Sequence, residues 1–425
     1  MKQAKKMLGV LSLGFLYSSM WLLPYIKYVF YDAIIEVTGF SHTQVGLILS
    51  IYMVSVIVFM FPSGWLADKF NPKKMIVASG IAQAIVSVIS MFFITNFAIT
   101  VVCFIALGMT SILCYWSQSF KALNMVCKKE ERGRYMGWFD GFNGLGSMIF
   151  NFVALAAFGA ASNGSAGGLK AVYITYAAAS LISALMVAFF YHEEHGAEEE
   201  SGSAETKKIA STKEILAVLK MPKVWIFSVM VFGIYGFYCG SSFLTPYFST
   251  VLGVSVVFSG TLATLKNYGT RFIGSPIAGA ISDKIGRLKF ISWGVAITVV
   301  LMIAFMLMPA SPGALVPIMV LMFALAIVNV STKGIYFSAT NELGVSEAVN
   351  GMTIAVATQI GHNIPDVALH PIFGMILDHN EPVAAYKIIF ACLLGMLVLA
   401  LLMCLLLLNM RKKDAAKATV AEQAV

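Results

Sequence analysis

Apolar stretches of about 20 residues recur from one end of this 425-residue chain to the other. Each is long enough to cross a hydrocarbon core of ~30 Å at a rise of ~1.5 Å per residue. A water-soluble core cannot hide so many of them, so the bilayer is the solvent. Composition agrees: 59% of residues are hydrophobic and 12% charged, against roughly 25% charged in soluble domains. Hydropathy predicts an all-α membrane protein with twelve spans, near 8–30, 43–65, 74–95, 97–125, 134–160, 169–191, 223–250, 256–281, 288–309, 313–340, 348–376 and 384–409.

Basic residues are concentrated on one side of these spans. With the spans drawn as above, 22 of the 29 Lys and Arg fall in the terminal segments and loops of a single side. The positive-inside rule makes that side, with both termini, cytoplasmic in a cell membrane. The sequence pI near 9.0 then reports topology, and no nucleic-acid partner is expected. The basic start Met1–Lys6 precedes an apolar run too long for a signal peptide and without a small-residue cleavage site, so it reads as a retained first helix. The six cysteines form no disulfide or metal pattern. His192-Glu193-Glu194-His195 lacks the spacing of a zinc helix. Neither a metal nor a cofactor is expected.

The chain reads as a duplicated unit. A polar segment, 192–222, separates an N-terminal bundle at 1–191 from a C-terminal bundle with a basic tail at 223–425. Landmarks repeat about 214–222 positions apart across it: Pro24-Tyr25 with Pro246-Tyr247, Gly39-x-Ser41 with Gly253-x-Ser255, Gly46 with Gly260, and Pro62 with Pro276. Gly64-x-x-x-Asp68-Lys69 likewise returns as Gly279-x-x-x-Asp283-Lys284, followed by Arg287. These last two segments resemble the loop 2–3 and loop 8–9 signature of the major facilitator superfamily, and the resemblance covers the whole chain. It implies two pseudo-symmetric six-helix bundles, a site between them, and alternating access by rocking. It also implies a gating role for Asp68, Lys69, Asp283, Lys284 and Arg287, latching the cytoplasmic side in the outward-open state. The first copy carries Asn71-Pro72 where Gly-Arg is usual. The Gly-Pro step and Arg-x-x-x-Gly-Gly element of drug exporters are missing, which disfavours multidrug efflux.

Polar side chains inside spans locate the cavity, because a polar group facing lipid is expensive. Gln359, His362, Asn363, Asp366 and His370 fall on one helical face of the eleventh span, and Asp140, Asn143, Ser147 and Asn151 on one face of the fifth. Aromatic stripes accompany them in the first and seventh spans. Within spans, Lys121, Lys266, Arg271 and Lys333 outnumber Asp140 and Asp366, and a bound anion would balance the excess. Arg271 lies about 18 and 22 Å from the ends of its helix, too deep to snorkel. Its planar fork suits carboxylate, sulfonate or phosphate. Lys121 and Lys333 stand 212 positions apart, near the repeat offset, and are expected as pseudo-symmetric partners on the two walls.

The expected substrate ligands are Arg271, Lys121, Lys333, Asn267, Asn329, Gln359 and His362, with Tyr28, Trp116 and Tyr238 as aromatic surfaces. Asp366 and Asp140 are candidates for coupling to H+. The expected activity is secondary active transport of a small organic anion by a monomer in the lipid bilayer. The alternative is proton-coupled transport of neutral sugars, polyols or nucleosides. An enzyme is not expected, since no nucleophile–base pair or metal cluster stands at membrane depth.

Overall fold

The structure, a computed structural model, describes residues 2–127, 131–161, 163–192, 219–343 and 347–423, and leaves undescribed the side chains of 271–277 and of some segment ends. Most of the polar segment at 192–222 and the side chain of Arg271 therefore lie outside the described residues. All regular structure described is helical. Among the described residues, ten helices are long and apolar enough to cross a membrane. The stretches expected as the eighth and eleventh spans are also helical, over Val256–Ile285 and Glu347–His379, with short irregular turns inside them.

In the first half α1 (Lys2–Leu22) and α2 (Lys27–Thr38) make up the first span, followed by α3 (His42–Lys69) and α4 (Pro72–Phe92). The fourth span is α5 (Phe97–Gly108), a π-helical turn at Met109–Trp116, and α6 (Ser117–Val126). Helices α7 (Arg132–Ala160) and α8 (Gly164–Phe190) complete the half. In the second half, α9 (Pro222–Gly240) and α10 (Leu244–Thr250) are followed by α11 (Val256–Thr264), a π turn at Leu265–Gly269, and α12 (Thr270–Ile285). Then come α13 (Arg287–Leu307), α14 (Leu315–Ile335), α15 (Glu347–Thr358), a π turn at Gln359–Asn363, α16 (Ile364–His379) and α17 (Pro382–Gln423).

Helix starts follow local chemistry. Ser41 and Gln44 form a reciprocal capping box at α3, Asn71 accepts from the Lys74 N–H ahead of Pro72, and Asn96 and Ser255 cap α5 and α11. The repeated Gly-x-Ser landmark is the same turn built twice. Gly39 (φ 69°) and Gly253 (φ 71°) adopt the left-handed conformation that glycine tolerates, and the serine two residues on caps the next helix.

Core packing defines the overall shape. At the end of the bundle away from the basic loops, one apolar cluster joins both halves, with Phe30, Tyr52 and Leu155 beside Phe243, Phe248 and Phe373. Toward the basic loops the core divides in two. One cluster, including Leu13, Ile76 and Tyr115, belongs to the first half; another, including Phe227, Ile291 and Tyr336, belongs to the second. The halves therefore meet at the non-basic end and splay apart at the basic end. Their tightest contact is α3 against α16, where Gly46 faces the backbone of His370 and Pro371, and Gly374 faces that of His42 and Thr43. A Cβ on either glycine would overlap that backbone, so small residues let the helices touch. A carboxylate completes the contact: Asp378 of α16 accepts from the N–H groups of His42 (2.8 Å) and Thr43 (2.9 Å) and from the Thr43 hydroxyl (2.5 Å). It thus sits at the N-terminus of α3, where orphan N–H groups favour an anion.

Candidate functional site

Between the splayed halves lies a cavity of about 390 Å3, within the size range of small-molecule sites. The first half contributes a mostly aromatic wall, with Tyr17, Trp21, Tyr25, Tyr28 and Trp116 joined by Asp140, Asn143, Gly144 and Ser147. The second half contributes Tyr235, Tyr238, Asn267, Tyr268, Lys333 and His362. Backbone irregularities place several of these groups. The three π turns each deliver a lining side chain: Trp116 in the first, Asn267 and Tyr268 in the second, His362 in the third. The break at 23–26 next to Pro24 turns Tyr25 and Tyr28 onto the same wall. Such single-turn π segments inside α-helices recur at functional sites.

The wall chemistry is polarised. The Lys333 ammonium lies 3.5 Å from the centroid of the Tyr238 ring and 5.2 Å from that of Tyr235, a cation–π arrangement. His362 stacks on Tyr235 with centroids 3.9 Å apart and pairs with the Tyr336 hydroxyl. Among the described residues, Trp21 Nε1 and Asn267 Nδ2 are buried without a hydrogen-bond partner. Both atoms can only donate, as can Lys333. An unpaired buried donor costs about 1–3 kcal/mol, and a ligand rich in acceptor oxygens would relieve it.

Of the sequence candidates, Tyr28, Trp116, Tyr238, Asn267, Lys333, His362 and Asp140 line this cavity. Others are placed elsewhere. Lys121 donates to the Ala67 carbonyl (2.8 Å), and Asn329 donates to that of Ile234 (3.3 Å). Gln359 is exposed and accepts from Asn363 (2.6 Å). Asp366 lies behind the wall, accepting from Tyr235 (2.9 Å). The π turn explains the scatter along the eleventh span. It takes in an extra residue, so a stripe read at 3.6 residues per turn rotates by about 100° across it.

Near the non-basic end lies a buried polar group that sequence reasoning missed in part. Lys27, 5% exposed, donates from Nζ to His370 Nδ1 at 2.8 Å across the boundary between the halves. The other imidazole nitrogen meets Cys239 Sγ at 3.2 Å and Tyr28 Oη at 3.4 Å. Ending the first span at residue 30 leaves Lys27 at an interface; the helix runs on to Thr38, so Lys27 is deep. Cys239, Asp366 and His370 have ligand atoms within 4.8 Å of one another, a spacing that could hold a metal. The Lys27 contact argues against that use. An ammonium has no lone pair, so Nδ1 accepts and the neutral imidazole carries its hydrogen on Nε2, the nitrogen that would have to face the ion.

The signature residues sit at the basic end. Asp68 and Lys69 are exposed at the end of α3, with the Lys69 ammonium 4.1 Å from the Trp65 ring centroid. Exposed Asp283 pairs with half-buried Arg287 at 3.6 Å, and Lys284 beside them is exposed. Arg287 also donates to the Ser338 carbonyl at 3.3 Å. Glu342, which sequence reading did not single out, accepts from the Arg287 N–H at 2.6 Å and pairs with Arg411. The turn before Arg287 needs Gly286, at φ 93°.

Comparison with known proteins places this geometry. The sequence model of the Major Facilitator Superfamily matches residues 8–365. Inner membrane protein YqcE of Escherichia coli is 26% identical over 408 residues, covering 94% of each chain. Inner membrane protein YihN of the same organism is 25% identical, covering 88% of each. A shorter match, 27% over 158 residues, covers 37% of this chain and 35% of probable sulfoacetate transporter SauU of Cupriavidus necator. Among solved structures, a bacterial homologue of the human lysosomal transporter Spinster, inward-facing and unoccupied, superposes with TM-score 0.76 at 17% identity, over 96% of this chain and 98% of that one. The nucleoside transporter NupG superposes with TM-score 0.71 at 14% identity, over 95% and 98%.

Proposed function

The chain belongs to the Major Facilitator Superfamily and is a secondary transporter of that fold; from that premise we propose that its cavity carries a small organic anion by alternating access. The observation that supports this reading is the donor-only set in the cavity wall: the Lys333 ammonium, the Trp21 indole N–H and the Asn267 amide N–H groups. A carboxylate, sulfonate or phosphate offers acceptor oxygens to all three, and its charge meets that of Lys333. Arg271, four residues beyond Asn267 near mid-span, is kept in the proposal as a second cation. The partial likeness to a protein named for sulfoacetate supports the same class.

In this reading the basic end is cytoplasmic, and the splayed arrangement is the state open to the cytoplasm. Asp68 and Asp283 then belong to the latch that closes that side when the halves rock. The sequence holds no ATP-binding motif, so a gradient of an ion or solute drives transport.

A second reading, transport of a neutral sugar, polyol or nucleoside, is favoured by the aromatic wall and by Asp140, an acceptor in the same cavity. A thermal-shift screen of purified protein separates the two, because a ligand at 100 times its Kd stabilises by about 2.7 kcal/mol. Carboxylates, sulfonates and sugar phosphates are expected to raise Tm, and Lys333→Gln to abolish the rise. Stabilisation by neutral sugars or nucleosides alone would favour the second reading.

A further inference from the structure

The contact that closes the non-basic end is joined to the cavity by a chain of groups that exchange protons. Tyr28 and Tyr235 line the cavity. Behind them, Tyr235 donates to Asp366 (2.9 Å), His370 meets Tyr28 (3.4 Å) and Cys239 (3.2 Å), and Lys27 donates to His370 (2.8 Å). Lys27 and Tyr28 belong to the first half, and the other members to the second. Around His370, α2 supplies Lys27 and Tyr28, α9 supplies Cys239, and its own helix supplies Asp366. The α3 helix presents Gly46 to the His370 backbone, and the Phe243 ring stacks at 6.2 Å. Asp366 is thus the one carboxylate in this group.

We propose that Lys27 and His370, with Cys239 and Asp366, form a proton-binding site whose occupancy sets whether the non-basic end is closed or open. This rests on the transporter reading above but not on the class of substrate. In the closed contact Lys27 is the ammonium, His370 accepts on Nδ1, and the pair holds one positive charge opposite Asp366. A proton added to the imidazole removes the acceptor and sets two cations side by side in a dry interface. The contact then separates, drawing α2 from α16 and opening the non-basic end. Closing it again requires that His370 lose this proton. Tyr28 and Tyr235 stand between the cluster and the cavity, so the site exchanges its proton with water in the cavity. The proton passes from water to the imidazole and back to water, and no other bond changes.

Hydrogen–deuterium exchange on purified full-length protein in nanodiscs, without ligand and corrected for intrinsic exchange rates, tests the site. The reporting peptides cover 38–47 and 368–380, the ends of α3 and α16 that the contact holds together. One proton taken up per opening shifts the equilibrium by up to about tenfold per pH unit. Exchange in these peptides is therefore expected to rise at least several-fold from about pH 7.5 to about pH 5.5, the range over which an accessible imidazole gains its charge. His370→Gln keeps an acceptor for Lys27 but does not titrate, and its exchange is expected to stay flat. Lys27→Met, which removes the second cation, is expected to flatten it too and serves if the His370 variant does not fold. Flat exchange in the unaltered protein, or a full rise in either variant, overturns the proposal. Failure of every anion in the thermal-shift screen would refute the substrate class and leave this result standing.

Discussion

Asp378→Asn tests whether the non-basic end is held shut by a carboxylate on the α3 helix N-terminus. The carboxylate accepts three hydrogen bonds across the boundary between the halves, from the His42 and Thr43 N–H groups and the Thr43 hydroxyl. An amide offers one acceptor oxygen and no charge. A charge-assisted hydrogen bond is worth about 1.5–3 kcal/mol, and an anion at a helix N-terminus about 0.3–1 kcal/mol. Asp378 is exposed, so solvent screening cuts both. A net loss of about 1–2 kcal/mol remains, a factor of roughly 5–30 in the equilibrium between closed and open ends. Hydrogen–deuterium exchange of the 38–47 peptide at neutral pH is expected to rise by that factor. The sign of the pH effect follows from the same contacts. Burial pushes the Asp378 carboxyl up, but the hydrogen bonds from Thr43 and His42 outweigh it and hold it below the usual carboxylate range. Its contribution is therefore complete above the unfolded carboxylate range and is lost only as pH falls through the depressed value. Mild acid leaves this clamp intact, and Asp378→Asn should keep the pH response assigned to His370. Unchanged exchange at neutral pH would refute the clamp.

Two further substitutions probe the cavity and the basic end. Asp68→Asn is expected to slow transport while leaving substrate affinity nearly unchanged, since Asp68 is exposed at the end of α3, away from the cavity. Single-turnover uptake set against equilibrium binding checks this, and lost binding at unchanged rate would remove Asp68 from the gate. Arg271→Lys is expected to weaken anion binding by about 1.5–3 kcal/mol, with folding retained. A drop in stability rescued by a second change at Asp366 or Asp140 would instead make Arg271 part of a structural ion pair.

Much of the architecture was legible because the bilayer leaves few options: apolar length reads directly as spanning helices, and the Gly-x-Ser landmarks mark a turn that the structure builds twice. Several lining positions were legible, on regular helices at Asp140, Tyr238 and Lys333 and on π turns at Trp116, Asn267 and His362. Lys121 and Asn329 were misread on regular helices, each donating instead to a carbonyl of a neighbouring helix. The π turn at Gln359–Asn363 swings Gln359 outward and turns His362 inward, which no uniform period anticipates. Depth was the other failure. Lys27 lies inside the first predicted span, but only the break near Pro24 and the extension to Thr38 carry it to the boundary between the halves. Its partner His370 stands 343 residues away, a pairing that local pattern does not encode. Tyr25 and Tyr268 were missed as lining residues because each depends on a break in its own helix.

Uptake into proteoliposomes tests the central claim most directly. Purified protein should concentrate inside the vesicles a labelled carboxylate or sulfonate that raises its Tm, and Lys333→Gln should abolish that uptake while the protein remains folded. Uptake of a neutral sugar or nucleoside with no uptake of any acid, unaffected by Lys333→Gln, would contradict it.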